Sequence, residues 1–352
     1  MKGLKTLTRI CASLLIMLVN QIVFIASRLR AWLFQVNRQK RQILPGTVIS
    51  VGNLSAGGTG KSPMVMVLAS HLKSKGASPA ILTRGYRSGL KDDQAICLVG
   101  SALHLLRGPH PGDFQGDEAR MQAEILQNIP VIIGAKRFLA AKAFMEHFEA
   151  PSHWILDDGF QHHQISRDLD LVLVDASHPR GRLDRPSTIF QREPIGAIRR
   201  AHHVFLTRWD PTTFRPAIED TLEAFGIPFT RVPFHYDLIP WAEKTPWPRQ
   251  ISLVTSIADP KRIQDAWPEN FPILTGTLFG RDHESIDVKE LKILEDKSES
   301  LCTTEKDYWR NPSVFQGLKT PLFILKLTPI INDLTLSEVL LNARVSATKK
   351  GL

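Results

Sequence analysis

Val51-Gly52-Asn53-Leu54-Ser55-Ala56-Gly57-Gly58-Thr59-Gly60-Lys61-Ser62 is the stretch on which the reading of this chain turns. The residues before it, 47–51, are β-rich, and a helical pattern over 63–75 follows it, with Pro63 tolerable in a first turn. Strand, glycine-rich turn, Lys-Ser and helix, in that order, are what a phosphate-binding loop requires. Glycines let the backbone curl so that successive N–H groups converge on a polyphosphate, and a helix N-terminus adds positive potential. Lys61 is placed to reach β- and γ-phosphates, and the Ser62 hydroxyl to ligate Mg²⁺. The strict pattern G-x-x-x-x-G-K-[ST] wants glycine at 55, where this chain has Ser55. Gly52, Gly57 and Gly58 supply flexibility at other offsets, so the expected loop is longer or differently shaped. A plain glycine-rich turn ahead of an ordinary helix is the competing reading, and the coincidence of all four features weighs against it.

Outward from the loop, short apolar runs at 79–83, 131–133, 154–156, 169–174 and 204–206 read as core strands, and 118–127 and 136–148 as helices. Residues 88–115, rich in Gly, Pro, Asp and His, read as a surface excursion. Strands alternating with helices predict an α/β fold of P-loop NTPase type, a parallel sheet with helices on both faces. Ligands gather at the carboxyl ends of such strands. The stretch 231–241 reads as an extended linker, and 251–255, 271–275 and 321–327 as strands of a second, smaller α/β unit. The expected organisation is a membrane-associated helix in 1–30, a nucleotide-binding domain over 31–230, and a linker with a smaller domain over 231–352.

The formal charge of +9 over 352 residues is concentrated at one end. Lys2, Lys5, Arg9, Arg28, Arg30, Arg38, Lys40 and Arg41 all precede Pro45, and no acidic residue appears before Asp92. Residues 10–27 are uncharged and mostly apolar, about 27 Å long as a helix, near the thickness of a bilayer's hydrocarbon core. Asn20 and Gln21 in the middle and cations on both flanks weaken a full span, and no small-residue cleavage site follows to mark a signal peptide. A membrane anchor bearing a cytoplasmic catalytic body is the expectation, with the flanking cations on anionic head groups. Cations around an apolar helix, without interleaved aromatics, argue against a nucleic-acid partner. Cys11, Cys97 and Cys302 form no C-x-x-C pair, which suits a reducing compartment.

Leu156-Asp157-Asp158-Gly159-Phe160-Gln161-His162 ends a predicted strand in carboxylates, as in nucleotide hydrolases and kinases that hold Mg²⁺. Neighbouring carboxylates on an extended chain point apart, so one of the two is expected to reach the metal; an Asp-Gly turn is the plain alternative. Gly116-Asp117-Glu118 is either a helix N-cap or a site in which Asp117 serves as base or metal partner and Glu118 as ligand. Arg192-Glu193 before Pro194 offers a cation to a phosphoryl group or forms a surface ion pair. Asp282-His283 lies in a predicted loop, where His283 shares a proton with Asp117 if the loop faces the cleft. His162 and His163 lack the spacing of a zinc site. Thr303-Thr304-Glu305-Lys306-Asp307 reads as a helix cap or a site loop.

Together these motifs resemble the tetraacyldisaccharide 4′-kinase family, lipid A kinases of Gram-negative bacteria. The resemblance rests on Val51-Gly52-Asn53-Leu54, Gly57 to Pro63, Thr83-Arg84-Gly85-Tyr86, Gly116-Asp117-Glu118, Asp157 to His162, Arg192-Glu193-Pro194, Asp282-His283 and Thr304 to Asp307, which run in family order. It implies transfer of the ATP γ-phosphoryl to the 4′-hydroxyl of a tetraacylated disaccharide 1-phosphate at the cytoplasmic face of the inner membrane. It further implies Asp117 paired with His283 to activate the hydroxyl, and Lys61 among the catalytic groups. Ser62, Glu118 and Asp158 would organise Mg²⁺, and Gly57, Gly58, Thr59, Gly60, Lys61, Ser62, Asp157, Gln161, Arg192 and Glu193 would surround the ATP. No obligate protein partner is implied. Asp282-His283-Glu284-Ser285-Ile286 and the stretch 181–191 depart from the family pattern. The principal rival is a membrane-bound GTPase or ATPase switch, whose guanine-reading sequence Thr207-Arg208-Trp209-Asp210 matches only faintly; a scaffold with a vestigial nucleotide fold is a third reading.

Overall fold

The computed structural model describes residues 41–350 apart from 56, 86–87, 111–113, 115, 178–191, 211–216 and 281–285, with backbone alone over 344–350. The expected N-terminal membrane helix, Asp282, His283 and the departing stretch 181–191 lie outside the described residues. Among the described residues no helix is long and apolar enough to cross a membrane.

The strands are β1 (Thr47–Asn53), β2 (Pro79–Thr83), β3 (Ala95–Val99), β4 (Ala102–Arg107), β5 (Val131–Ile133), β6 (His153–Asp157), β7 (Leu169–Asp175), β8 (His203–Thr207), β9 (Phe229–Val232), β10 (Phe234–Pro240), β11 (Gln250–Thr255), β12 (Ile273–Phe279), β13 (Leu301–Thr304) and β14 (Leu322–Pro329). The helices are α1 (Lys61–Ser74), α2 (Asp117–Leu126), α3 (Arg137–His147), α4 (Ala217–Ala224), α5 (Lys261–Asp265), α6 (Val288–Glu295), α7 (Glu305–Arg310), α8 (Pro312–Gln316) and α9 (Asp333–Lys350). A nine-stranded sheet in the order β4-β3-β5-β2-β6-β1-β7-β8-β9 forms the larger unit, and a five-stranded sheet, β10-β14-β13-β11-β12, the smaller. From β5 to β9 the large sheet is parallel. This is the α/β architecture that the strand–helix alternation predicts.

Successive strand residues alternate between the cores on the two faces of the large sheet, in step with the pleat. Ile49, Val51, Ile81 and Leu171 pack in one core with α1 and α2, while Val48, Leu82, Trp154 and Leu156 pack with α3 on the other face. Val172, Val174, Val204 and Leu206 meet α4 further along that sheet. Every residue of β7 is buried, as a central parallel strand covered on both faces demands. Leu336, Val339 and Ala343 of α9 join the α1 core, so the chain returns to the large sheet after building the small one.

Two expectations change. The stretch 88–115 is not simply a surface excursion: β3 and β4 form an antiparallel hairpin that extends the sheet edge beyond β5. Its consecutive apolar residues, Ala95, Ile96, Cys97 and Leu98, are all buried, a signal that the surrounding Gly and Pro content masks. Residues 231–241 are extended, but as strands: β9 closes the large sheet and β10 opens the small one. Pro233 between them donates no N–H to a ladder, and its carbonyl accepts from Ile330 N at 2.8 Å.

His203, at the start of β8, is buried and its Nε2 lies 2.9 Å from Thr230 Oγ1. Burial pushes its pKa down to about 4 from an ordinary 6.5. The unfolded chain therefore takes up a proton at a higher pH than the folded one. The resulting stability is fully present above about pH 6.5 and is lost as pH falls toward 4, on the order of 3 kcal/mol. His203→Gln is expected to flatten the fall in unfolding free energy across that window in denaturant titrations; an unaltered slope would assign it to other groups.

Candidate active site

The carboxyl ends of adjacent parallel strands bring Asn53, Asp157 and Asp175 to one edge of the large sheet. From β1, which runs two residues beyond the expected limit, the chain passes through buried Leu54 and Ser55 into the glycine loop. Gly57 and Gly60 take φ values of 108° and 84°. A Cβ at Gly60 would lie 2.8 Å from Phe234 Cζ. Helix α1 then starts at Lys61 with no side chain capping its N-terminus and no acidic residue in its first turn, so its first N–H groups are left for an anion.

The loop is braced from behind. Asn53 Nδ2 donates to Thr59 Oγ1 at 3.0 Å, and Thr207 Oγ1 donates to the Thr59 carbonyl at 2.8 Å. Arg208 donates to the Gly58 carbonyl and pairs with Asp175 at 3.3 Å. Asp175 also receives Arg262 of the small unit at 3.0 Å. Burial would raise the Asp175 pKa, but Arg208 and Arg262 outweigh it and hold the group below the usual carboxylate range. Thr207 and Arg208, the residues faintly like a guanine-reading sequence, thus spend their side chains on the loop.

Asp157 and Asp158 have opposite surroundings. Asp158 follows β6 at φ 51°. Arg192 Nη1 donates to both of its oxygens, at 2.6 and 2.7 Å, and Lys61 Nζ stands 3.5 Å from Oδ1. Burial acts to raise its pKa; Lys61 and then Arg192 overcome that and keep it below the ordinary value. Asp157 is buried and its pKa is pushed up to about 6, first by burial and then by the charge of Glu118, with Gln122 offsetting part. Gln122 Nε2 donates to Asp157 Oδ2 at 2.7 Å. Beneath both, the buried Arg137 donates to the Asp157 carbonyl at 2.7 Å and to the Asp158 carbonyl at 3.3 Å, fixing the turn.

The other expected residues fall around this pair. Arg192 N donates to the Leu54 carbonyl at 2.8 Å, which ties its segment to the loop entrance. Gln161 Nε2 donates to the Asn53 carbonyl at 2.9 Å. Glu193 is buried against Arg200, which donates to both its oxygens at 2.8 and 3.0 Å and lies over the Phe160 ring at 4.3 Å. Asp117 opens α2, its Oδ1 accepting from Glu118 N at 2.8 Å. Arg310 reaches Asp117 Oδ2 at 3.1 Å, and Lys306 reaches Glu118 at 3.0 Å, both from α7 of the small unit.

Lys61, Asp158 and Arg192 therefore form one cluster, and Asp117 with Glu118 a second, linked to the first by the field of Glu118 on Asp157. Thr59, Gln161 and Glu193 use their side chains on protein groups. Arg137, Gln122 and Arg310 escape the sequence reading, and Arg208 entered it only within the faint guanine-reading match. Arg310 lies one helical turn beyond Asp307 on the same face, a spacing that could have found it.

Gly60→Ala combines a positive φ with a close approach to Phe234, and is expected to cost about 1–3 kcal/mol in thermal unfolding. It should also weaken nucleotide binding measured by calorimetry. A variant with unchanged melting and affinity would show that the loop relaxes freely.

The family model described as tetraacyldisaccharide-1-P 4′-kinase matches residues 12–344. The tetraacyldisaccharide 4′-kinase of Pelodictyon phaeoclathratiforme is 32% identical over 82% of this chain and 86% of its own length. That of Chlorobium limicola is 34% identical over 80% of this chain and 82% of its own length. Among solved structures, LpxK from Aquifex aeolicus in complex with ATP aligns with a TM-score of 0.69 at 24% identity, covering 94% of this chain and 98% of that one. This likeness extends the match to the fold. The chain belongs to the tetraacyldisaccharide 4′-kinase family.

Proposed function

We propose that this chain transfers the γ-phosphoryl of ATP to the 4′-hydroxyl of a tetraacylated disaccharide 1-phosphate, with the residues clustered at the sheet edge performing the reaction. The observation that carries the reading is the uncapped start of α1 beside the Lys61–Asp158–Arg192 cluster, within a few ångströms. Gly57 to Ser62 receive the polyphosphate through backbone N–H groups, and Lys61 neutralises its outer oxygens. Lys61 and Arg192 pair with Asp158 here; an incoming polyphosphate competes for the same two cations. Such cations, fixed before the reaction, stabilise charge that develops on the phosphoryl oxygens.

Ser62, Asp158 and Glu118 would hold Mg²⁺. Among the described residues no three His, Cys, Asp or Glu side chains cluster as a metal cage, and a cation shared with nucleotide phosphates needs only one or two carboxylates. Asp158, kept ionised beside Lys61, fits that donor set. Held there with nucleotide, the cation would supply charge neutralisation to the phosphates.

Asp117 is the base in this reading, together with His283. The sequence carries His283 four residues after the end of β12 and three after Gly280. β12 and β11 run parallel, Thr255 pairs with Phe279, and Ser256 beyond Thr255 bonds Arg310, which bonds Asp117. That chain of contacts supports an Asp117–His283 pairing. The apolar stretch 10–27 with its flanking cations favours anchoring at the cytoplasmic face of the inner membrane, where an acylated acceptor would be met. A switch-type NTPase is disfavoured by Thr207 and Arg208 bracing the loop.

The test is transfer from γ-labelled ATP to purified disaccharide 1-phosphate in detergent. The unaltered chain is expected to label the lipid, and Asp117→Ala to lower kcat by about 10²–10⁴. Phosphate release without labelled lipid would replace this reading with the NTPase switch.

A further inference from the structure

The stretch Thr303 to Asp307 left open by the sequence builds a buried polar knot at the carboxyl end of the small sheet. Asp307, 1% exposed, accepts from Thr255 Oγ1 at 2.6 Å, Ser256 Oγ at 2.7 Å, Thr304 Oγ1 at 2.7 Å and Ser256 N at 3.2 Å. Arg310 neutralises it through Nη1 at 3.2 Å, and the same Nη1 donates to Ser256 Oγ at 2.6 Å. The guanidinium is thus gripped on one side by its own unit. Its Nε points across to the other unit and meets Asp117 Oδ2 at 3.1 Å, a contact between residues 193 positions apart. Its Nη2 is buried and has no hydrogen-bond partner among the described residues. One turn earlier on α7, Lys306 meets Glu118 at 3.0 Å. Two cations from the small unit therefore seat on the two carboxylates that open α2.

We propose that Arg310 is a positioning residue for phosphoryl transfer, acting through Asp117: it fixes the rotation of that carboxylate, while Lys306 does the same for Glu118, so the site is complete only when the small unit is seated. This rests on the reading of Asp117 as the base. Oδ1 of Asp117 is tied to Glu118 N and Oδ2 to Arg310, so the carboxylate plane is held at both oxygens. Without Arg310 the Oδ2 tie is gone and the carboxylate swings about its Cα–Cβ bond, which loses near-attack geometry without touching the phosphate loop.

The experiment is a kinetic cycle on the full chain, with Arg310→Met, Arg310→Lys, Asp117→Asn and the double variant Asp117→Asn with Arg310→Met. Arg310→Met is expected to lower kcat about 10- to 100-fold, the scale of losing a group that orients a catalytic side chain, with KM for ATP within about twofold. Arg310→Lys should recover part of the loss. In the Asp117→Asn background, Arg310→Met should cost less than about threefold, because the residue it acts through is already gone. A general structural defect would instead cost the same factor in both backgrounds, and that result overturns the proposal, as does an Arg310→Met enzyme with unaltered kcat. Fully active Asp117→Asn would overturn the assignment of the base and this inference with it, whereas deficient Asp117→Asn with additive losses overturns this inference alone. Should Arg310→Met fail to fold, Ser256→Ala and Arg310→Lys are carried through the same cycle; Ser256→Ala is expected to lose kcat in the unaltered background and not in Asp117→Asn.

Discussion

A helix N-terminus without a cap is the constraint around which the large unit is built. The first N–H groups of α1 must stay unpaired within the protein if they are to meet a polyphosphate, so the stability a cap would add is forgone. The loop ahead of them must also hold a curled shape that its own glycines do not enforce. The bracing comes from elsewhere in the chain: Asn53 from the strand before, Thr207 and Arg208 from the end of β8. These side chains are buried or partly buried, so their hydrogen bonds are worth more than surface bonds and cost more to lose. That explains why Thr59, a loop residue expected at the ligand, turns its hydroxyl inward.

Neighbouring carboxylates at the end of β6 show how surroundings, not residue type, assign chemistry. Asp158 faces Lys61 and Arg192 and stays anionic; Asp157 faces the interior and the charge of Glu118, and holds its proton more tightly. Arg137 reads both carbonyls from below and fixes which residue faces which way. One acidic group is left to meet cations and phosphate, and the other to shape the floor of the site.

The two units meet through charge as well as through the packing of Phe234 against the large core. Arg262 to Asp175 on one side, and Arg310 and Lys306 to Asp117 and Glu118 on the other, place cations of the small unit on acidic groups at the edge of the large sheet. Partly buried pairs of this kind hold an orientation better than they add stability, since the desolvation of each charge offsets most of the attraction. A phosphate ligand arriving at the same edge would meet a site whose cations come from both units.

The alternation of strands and helices, the glycine loop and the Lys61-Ser62 pair were legible in the residues alone, because short apolar runs and glycine chemistry are local properties. So was the family, from motifs in order along the chain. The β3–β4 hairpin was obscured by its Gly, Pro and Asp neighbours, and Pro233 made two strands look like a linker. What the sequence could not decide was which polar side chain meets which. Asp117 and Arg310, Thr59 and Thr207, or Asp157 and Gln122 are far apart in the chain, and no periodicity relates them. Their pairing follows from the order of strands in two sheets and the seating of one sheet on the other. Burial then sets which carboxylate keeps its charge, since desolvation and neighbouring charges exist only once the chain has folded.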